Sequence, residues 1–198
     1  MAANRTVYLT RHGETDWNAA GRWQGHTDIP LNEHGRRQAG EVGERLRGAG
    51  IVAAVSSDLS RANETARIIA ARLGIEVVYT DRDLRERSFG IFEGLTREEC
   101  VERHAEAWRA WVEEQVPPPG GEAREGLAAR VSQGIGTAVA RVPGDGPILL
   151  VSHGGALRAA IGVATGDPPG PIANGAIWQV TWEGRIAHAR PFSPVAPA

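Results

Sequence analysis

Short unbroken apolar runs alternate along this chain with stretches in which apolar residues recur every three or four positions. The first rhythm marks buried strands and the second amphipathic helices. Thr6 to Thr10 predicts a strand that runs into Arg11-His12-Gly13. Ala39, Val42 and Leu46 predict a helix over Gly35 to Gly48, and Ile51 to Ser56 a second, buried strand. Ser57 or Asp58 then stands where a cap is needed for a helix from Arg61 to Leu73, whose apolar stripe is Ala62, Ala66, Ile69 and Leu73. Ile75 to Tyr79 predicts a further strand, and residues 81 to 94 an irregular loop around Leu84-Arg85-Glu86.

Thr96 opens the next helix, with Glu99 three residues on as a capping box, and that helix is expected to run through Trp108 and Trp111. Pro117-Pro118-Pro119-Gly120-Gly121 stops it, and another helix covers Glu122 to Arg141. Pro147 to Val151 is almost wholly apolar, as at the centre of a parallel sheet, and runs into Ser152-His153-Gly154 before a helix from Ala156 to about Ala164. Ile177 to Trp182 and Arg185 to Ala189 predict a closing hairpin around Glu183-Gly184, with a loose Pro-rich tail from Pro191. Strands alternating with helices imply an α/β class: a three-layer α/β/α arrangement with a mainly parallel central sheet. The 198 residues fit a single domain, 1–198, and the segment of about 87–146 between two strands is the candidate for a small helical insertion over the site.

Composition narrows the function classes. A net charge of −2 gives no electrostatic reason to expect nucleic acid or an anionic membrane as partner. All 22 basic residues are arginines, so Schiff-base chemistry and a phosphate-loop lysine are excluded. Cys100, the single cysteine, allows no intrachain disulfide, which suits the cytoplasm. Its neighbours Glu98, Glu99 and Glu102 argue against a nucleophilic thiolate. The start of the chain leads straight into a strand with no secretory leader, and no apolar run approaches the ~20 residues of a membrane span. The sequence calls for no metal and no cofactor. It leaves the oligomeric state open, a homodimer being compatible with it.

The candidate chemistry lies at two strand ends that finish alike, Arg11-His12-Gly13 and Ser152-His153-Gly154. Ligands of open parallel sheets bind outside the carboxyl ends of the strands. If these two strands are neighbours, two imidazoles meet at one spot. Arg11 adds a planar, permanently charged fork suited to phosphate oxygens. Arg61 adds a second at another strand-to-helix junction on the same edge, where a helix N-terminus also favours an anion. Arg-His-Gly alone is a weak signal; the combination, with Glu86 isolated in a loop, is phosphate-like in its demands.

Taken together these blocks resemble a known family. Thr10-Arg11-His12-Gly13-Glu14-Thr15-Asp16-Trp17-Asn18 is similar to the signature of the histidine phosphatase superfamily, in its phosphoglycerate-mutase-like branch. The resemblance continues in Gln24-Gly25, in Ser56 to Ala66, in Leu84-Arg85-Glu86 and in Val151 to Gly155. It implies that His12 is a nucleophile that becomes phosphorylated. Arg11, Arg61 and His153 bind the phosphoryl oxygens, with Asn18 as a further donor. Glu86 acts as general acid and then base, a role that burial would favour by keeping it protonated at the outset. Gln24, Gly25 and the backbone of Gly154 line the substrate entrance.

The same pocket serves a phosphatase, a cofactor-dependent phosphoglycerate mutase or an inactive binding module, all known among such proteins. Mutases of this kind carry an arginine pair in the insertion and a tyrosine shortly after the acid glutamate. Here Arg36-Arg37 lies elsewhere and the position three after Glu86 is Phe89. The expected activity is therefore metal-independent hydrolysis of a small-molecule phosphate monoester. Trp108 and Trp111 share a helix face, either packing the insertion onto the rest of the chain or forming an apolar or sugar-stacking wall. His26, His34, His104 and His188 match no catalytic position and are expected at the surface.

Overall fold

In the computed structural model, residues 4–193 are described, so Met1 to Ala3 and the last part of the tail lie outside them. In chain order the elements are β1 (Arg5–Arg11), α1 (Asp16–Ala19), α2 (Glu33–Arg45), β2 (Ala53–Ser57), α3 (Ser60–Leu73), β3 (Val77–Asp81), α4 (Arg97–Arg103), α5 (Ala105–Glu114), α6 (Arg124–Arg141), β4 (Ile148–Ser152), α7 (Gly154–Thr165), β5 (Ile177–Trp182) and β6 (Ile186–Pro191). They form one six-stranded sheet in the order β3-β2-β4-β1-β5-β6. The first four strands of that order are parallel, and the predicted hairpin adds β5 antiparallel to β1 and β6 antiparallel to β5. No helix among the described residues is long and apolar enough to cross a membrane.

Strand alternation sorts side chains between two cores. Val7, Leu9, Val55, Ile148 and Leu150 face α6 and α7 and pack with Leu127, Val131, Ile135 and Leu157. Tyr8, Ala54, Leu149 and Val151 face α2 and α3 and pack with Val42, Leu46, Ala62 and Ile69. Strand β4 is buried throughout, so each of its large aliphatic side chains contributes about 1.5–3 kcal/mol of transfer free energy. Two buried cores on opposite faces of one sheet make the α/β/α layering expected from the strand–helix alternation.

Three differences from the sequence reading have local causes. Neither Ser57 nor Asp58 caps α3; Leu59 occupies the cap position without a side-chain bond, and Asp28 Oδ1 instead accepts from Ser60 N and Ser60 Oγ, both at 2.8 Å. The helix expected to run from Thr96 through Trp111 begins with its capping box but breaks at His104 (φ −140°, ψ 44°), giving α4 and α5. Pro191 belongs to β6, and Phe192 N donates to Ile177 O at 2.9 Å, so the chain stays paired further than the Pro-rich composition suggested. Within the stretch 87–146, α6 is part of the main core, whereas no residue of α4 or α5 belongs to it.

Candidate active site

Strands β1 and β4 are direct parallel neighbours, with Arg11 opposite Ser152, so the two strand-end histidines leave the sheet side by side. His12 N donates to Ser152 O at 3.0 Å, and the imidazole centroids lie 5.0 Å apart with planes inclined by 63°. The bond from His12 Nδ1 to Gly13 O, at 2.6 Å, fixes the tautomer. A carbonyl only accepts, so Nδ1 carries the proton and Nε2 keeps its lone pair. Burial, then the charges of Arg61 and Arg11, hold His12 well below the ordinary histidine value, so the ring is neutral.

His153 is fully buried and hydrogen-bonds Ser57 Oγ through Nε2 at 2.9 Å. Leu59 N donates to that same hydroxyl oxygen at 3.4 Å. The buried Nδ1 has no partner among the described residues. Burial, followed by Arg61, His12 and Arg11, depresses this histidine too, so the pocket's positive charge comes from the arginines and not from a protonated imidazole.

Those arginines are braced so that one edge of each stays unused. Arg61, fully buried at the start of α3, donates Nη1 to Thr27 O at 2.9 Å and Nη2 to Gly25 O at 2.8 Å. Arg11 donates Nη1 to Ile172 O at 2.8 Å. The Nε of both is buried and unpaired among the described residues. Burial lowers the Arg61 guanidinium to about 10, against the supporting fields of Glu86, Asp28 and Glu93, so it remains charged near neutrality.

Asn18 closes another side. Its Oδ1 accepts from Thr15 N and Thr15 Oγ1, both at 3.2 Å, and from Asn174 Nδ2 at 3.3 Å, which leaves its own amide N–H groups for the cavity. Asn174 also donates to His12 O at 2.9 Å. Sequence reasoning missed Asn174, Thr65, whose Oγ1 accepts from Gly13 N at 3.0 Å, and the Ser57 partnership with His153; each acts across a long stretch of chain with no local signature.

Gln24 and Gly25 line the cavity as expected, on a loop held by Glu93. The Glu93 carboxylate accepts from His26 N, Thr27 N, Thr27 Oγ1 and Phe89 N at 2.5–3.1 Å. Burial opposes its ionisation, but these bonds outweigh burial and hold it below the usual carboxylate range. Gly25 has φ +53°, and a Cβ there would fall 2.1 Å from Glu93 Oε1, so no larger residue fits.

Glu86 is only partly buried, less than its expected role called for. Its Oε2 accepts from Gly155 N at 2.9 Å, in the first turn of α7, and Oε1 accepts from Arg87 N at 2.9 Å. Its backbone is clamped harder than its side chain. Arg130 of α6 donates to Asp83 O (2.9 Å), Arg85 O (3.0 Å) and Glu86 O (3.2 Å), and is itself held by both carboxylate oxygens of Glu122 at 2.9 and 2.7 Å. His26 Nε2 donates to the same Glu86 carbonyl at 2.8 Å. His26 is thus a structural partner of the Glu86 loop and not the free surface residue expected. His34 and His188 are exposed as expected; His104 is part-buried, 6.3 Å from Phe92. Arg85 reaches the other way, bidentate to Asp58 at 2.7 and 2.6 Å, tying the loop to the β2–α3 junction.

These groups open onto a cavity of about 470 Å³ lined by Arg11, His12, Asn18, Arg61, Glu86 and Gly154, among others. Its outer wall includes Trp23 and Phe89. They join Phe92, Trp108 and Trp111 in one aromatic cluster, with Phe89 stacked on Trp111 at 5.5 Å and Trp23 5.6 Å from Trp111. Trp108 packs on Phe92 at 5.7 Å and Trp111 on Phe89 at 5.5 Å, and neither tryptophan of α5 lines the cavity itself. Cys100 is buried, and burial followed by Glu99 and Glu98 raises its thiol, against a nucleophilic role. Among the described residues no group of three or more His, Cys, Asp or Glu could hold a metal ion.

The arrangement is one that grips a tetrahedral anion beside an unprotonated imidazole nitrogen. Known proteins share the chain's pattern. It is 42% identical over 157 residues to phosphoglycerate mutase-like protein 4 of Arabidopsis thaliana, covering 77% of this chain and 68% of that one. It is 41% identical over 165 residues to a probable phosphoglycerate mutase of Klebsiella pneumoniae, covering 82% and 75%. A mycobacterial glucosyl-3-phosphoglycerate phosphatase, solved with VO3, superposes with a TM-score of 0.81 at 34% identity over 94% of this chain and 97% of that one. YhfR of Bacillus stearothermophilus gives 0.85 at 30% identity over 97% and 98%. The sequence pattern of the histidine phosphatase superfamily (branch 1) matches residues 7–186, and with the paired strand-end histidines in place the chain belongs to that superfamily.

Proposed function

We propose that this protein is a metal-independent, cytoplasmic phosphatase that hydrolyses a small-molecule phosphate monoester through a phosphohistidine on His12. The observation that carries this reading is the neutral His12, its Nδ1–H fixed on Gly13 O, next to three buried nitrogens without partners among the described residues: the donors Arg11 Nε and Arg61 Nε, and His153 Nδ1. A bound phosphoryl group gives those donors the oxygens they lack. His12 Nε2 attacks phosphorus, the P–O bond to the alcohol breaks, and Glu86 in its acid form hands its proton to the departing oxygen. The phosphorylated ring keeps its Nδ1–H on Gly13 O. Glu86, now a carboxylate, takes a proton from a water that attacks phosphorus, and inorganic phosphate leaves with His12 neutral again. The arginines neutralise the equatorial oxygens, which is most of what phosphoryl transfer asks of a protein.

Hydrolysis is favoured over mutase activity because no adjacent arginine pair stands in residues 87–146 and Phe89 occupies the wall beyond Glu86. The mutase reading draws on the names of the Arabidopsis and Klebsiella relatives. A phosphate-release assay with p-nitrophenyl phosphate and 3-phosphoglycerate tests both. The expected result is release that resists EDTA and is blocked by vanadate, with an acid-labile phosphoprotein that His12→Asn abolishes. Isomerised phosphoglycerate without free phosphate overturns the choice in favour of a mutase, and no release from any ester favours a binding module.

A further inference from the structure

The peptide group between Gly13 and Glu14 is bonded at both of its polar atoms. Its carbonyl accepts from His12 Nδ1 at 2.6 Å, and its N–H donates to Gln38 Oε1 at 2.8 Å. A trans peptide group is planar, with N–H and C=O pointing in opposite directions, so whatever aims one aims the other.

The two strand-end histidines differ in what holds the chain after them. After His153 the chain enters α7 at once, and helix geometry orients its peptide groups. Residues 12–14, by contrast, belong to no helix or strand. Gly13 has no Cβ to limit its rotation, and a Cβ there would fall 2.3 Å from Gly35 O of α2. The direction of this segment therefore rests on hydrogen bonds brought from elsewhere. Asn174 Nδ2 donates to His12 O at 2.9 Å, Thr65 Oγ1 accepts from Gly13 N at 3.0 Å, and Asn32 N donates to Glu14 O at 3.0 Å. Among the described residues only Gln38 bonds the N–H of the peptide group whose carbonyl meets the ring. Gln38 lies on α2, one turn after Gly35. Its Oε1 meets an N–H, so its Nε2 is the end that donates to His34 Nε2, at 3.0 Å. Both ends of the amide are engaged, which fixes its orientation.

This bond matters to the reaction through the ring. When Nε2 bonds phosphorus the imidazole gains positive charge, and the bond from Nδ1–H to Gly13 O becomes charge-assisted. A hydrogen bond at the amide N–H polarises its carbonyl and strengthens that bond further. If the peptide group rotates, Nδ1 loses its acceptor and nothing keeps the proton off Nε2, the atom that has to attack.

We propose that Gln38 is a positioning residue of the phosphoryl-transfer step. It aims the Gly13 carbonyl at His12 Nδ1, which keeps the proton away from Nε2 and the ring in place for attack. Gln38 does not line the cavity and acts only through the peptide group. The kinetic consequence rests on the phosphatase reading above; control of the His12 tautomer does not.

The test compares Gln38→Met and Gln38→Leu, which remove the acceptor, with Gln38→Glu, which supplies one. Long-range proton–nitrogen NMR spectra of protein labelled with nitrogen-15 histidine report which ring nitrogen carries the proton, and His12→Asn identifies the His12 signals. The wild type is expected to show the Nδ1–H form alone. In the Met and Leu variants the Nε2–H form becomes populated, and Gln38→Glu returns the ring to Nδ1–H. The kcat/KM for p-nitrophenyl phosphate falls about tenfold in Met and Leu, and Gln38→Glu recovers most of it. Binding of inorganic phosphate, which the arginines hold, is little changed. A His12 tautomer identical to wild type in both Met and Leu overturns the proposal, and a lowered melting temperature beside it makes Gln38 a residue of the fold only. A tautomer shift in a protein whose wild type forms no phosphoenzyme and releases no phosphate sinks the phosphatase reading and keeps the role of Gln38. Full turnover with an unchanged tautomer in both variants does the reverse.

Discussion

The floor of the cavity and its outer wall are built on different terms. On the floor, His12, His153, Arg11 and Arg61 leave the sheet edge or the first turn of a helix, and each is fixed by a backbone carbonyl or a buried hydroxyl at 2.6–2.9 Å. The wall is built of rings, Trp23 and Phe89, backed by Trp111. Hydrogen bonds of fixed direction set positions to a fraction of an ångström, which phosphoryl transfer needs. Stacking is strong but tolerant of sliding, which suits a surface that must accept the variable part of a substrate. The contrast supports the proposal that the reaction belongs to the floor and the choice of substrate to the wall.

The most severe way to break that division is His12→Asn, which removes the proposed nucleophile while leaving an amide to occupy the site. Turnover is expected to fall by about 10⁴-fold or more, with no phosphoprotein in a quench with acid-labile detection. Residual turnover within tenfold of wild type would move the chemistry away from the floor altogether. Glu86→Gln comes next. The loss in kcat/KM should be about 10²–10⁴-fold for an alkyl phosphate, whose leaving oxygen needs a proton, and much smaller for p-nitrophenyl phosphate, whose leaving group does not. Equal losses on the two esters would remove the acid role from Glu86.

Arg130→Met probes the clamp behind that loop, since Arg130 holds the carbonyls of Asp83, Arg85 and Glu86 without facing the cavity. A loss of about tenfold in kcat/KM, again larger for the alkyl ester, is expected if the clamp positions Glu86. A loss in thermal stability alone, with the leaving-group dependence unchanged, would make Arg130 merely structural. Trp111→Ala addresses the wall. One aromatic contact is worth about 0.5–1.5 kcal/mol, so KM for 2-naphthyl phosphate should rise by about two- to tenfold with kcat little changed. A fall in kcat with constant KM would place Trp111 with the floor.

The smallest expected effect is a pH dependence of stability. His12 and His153 are held below their ordinary value of 6.5 in the folded protein. Between 6.5 and the lower folded values the unfolded chain binds more protons, so stability is present above 6.5 and declines as the pH falls through that window. The melting temperature should drop from pH 7 to pH 5, and should drop less in His153→Asn. An equal slope in the variant would assign the effect to other groups.

Much of this was legible because it is local. Strand rhythm and strand length marked β4 and the β5–β6 hairpin, and the matching ends Arg11-His12-Gly13 and Ser152-His153-Gly154 flagged the two histidines that meet at the cavity floor. Glu86 and Arg61 stood out by position within recognisable blocks. The capping partner of α3 was misread because Asp28, distant in sequence, supplies the acceptor that Ser57 and Asp58 were expected to give. His26 was read as a surface residue because nothing nearby in the chain announces the Glu86 carbonyl it serves.

Residue types and periodicity therefore determined by themselves the α/β class, the order of the elements and the side chains at the strand ends, because helix and strand patterns are written in neighbours a few positions apart. Only the tertiary structure decided that β1 and β4 are adjacent, that Gly13 O fixes the His12 proton, that both histidines are neutral, and that Arg87 lies buried against Trp111. Those properties are pairings and desolvation across the fold, and burial and charge belong to the whole arrangement of the chain rather than to any stretch of it.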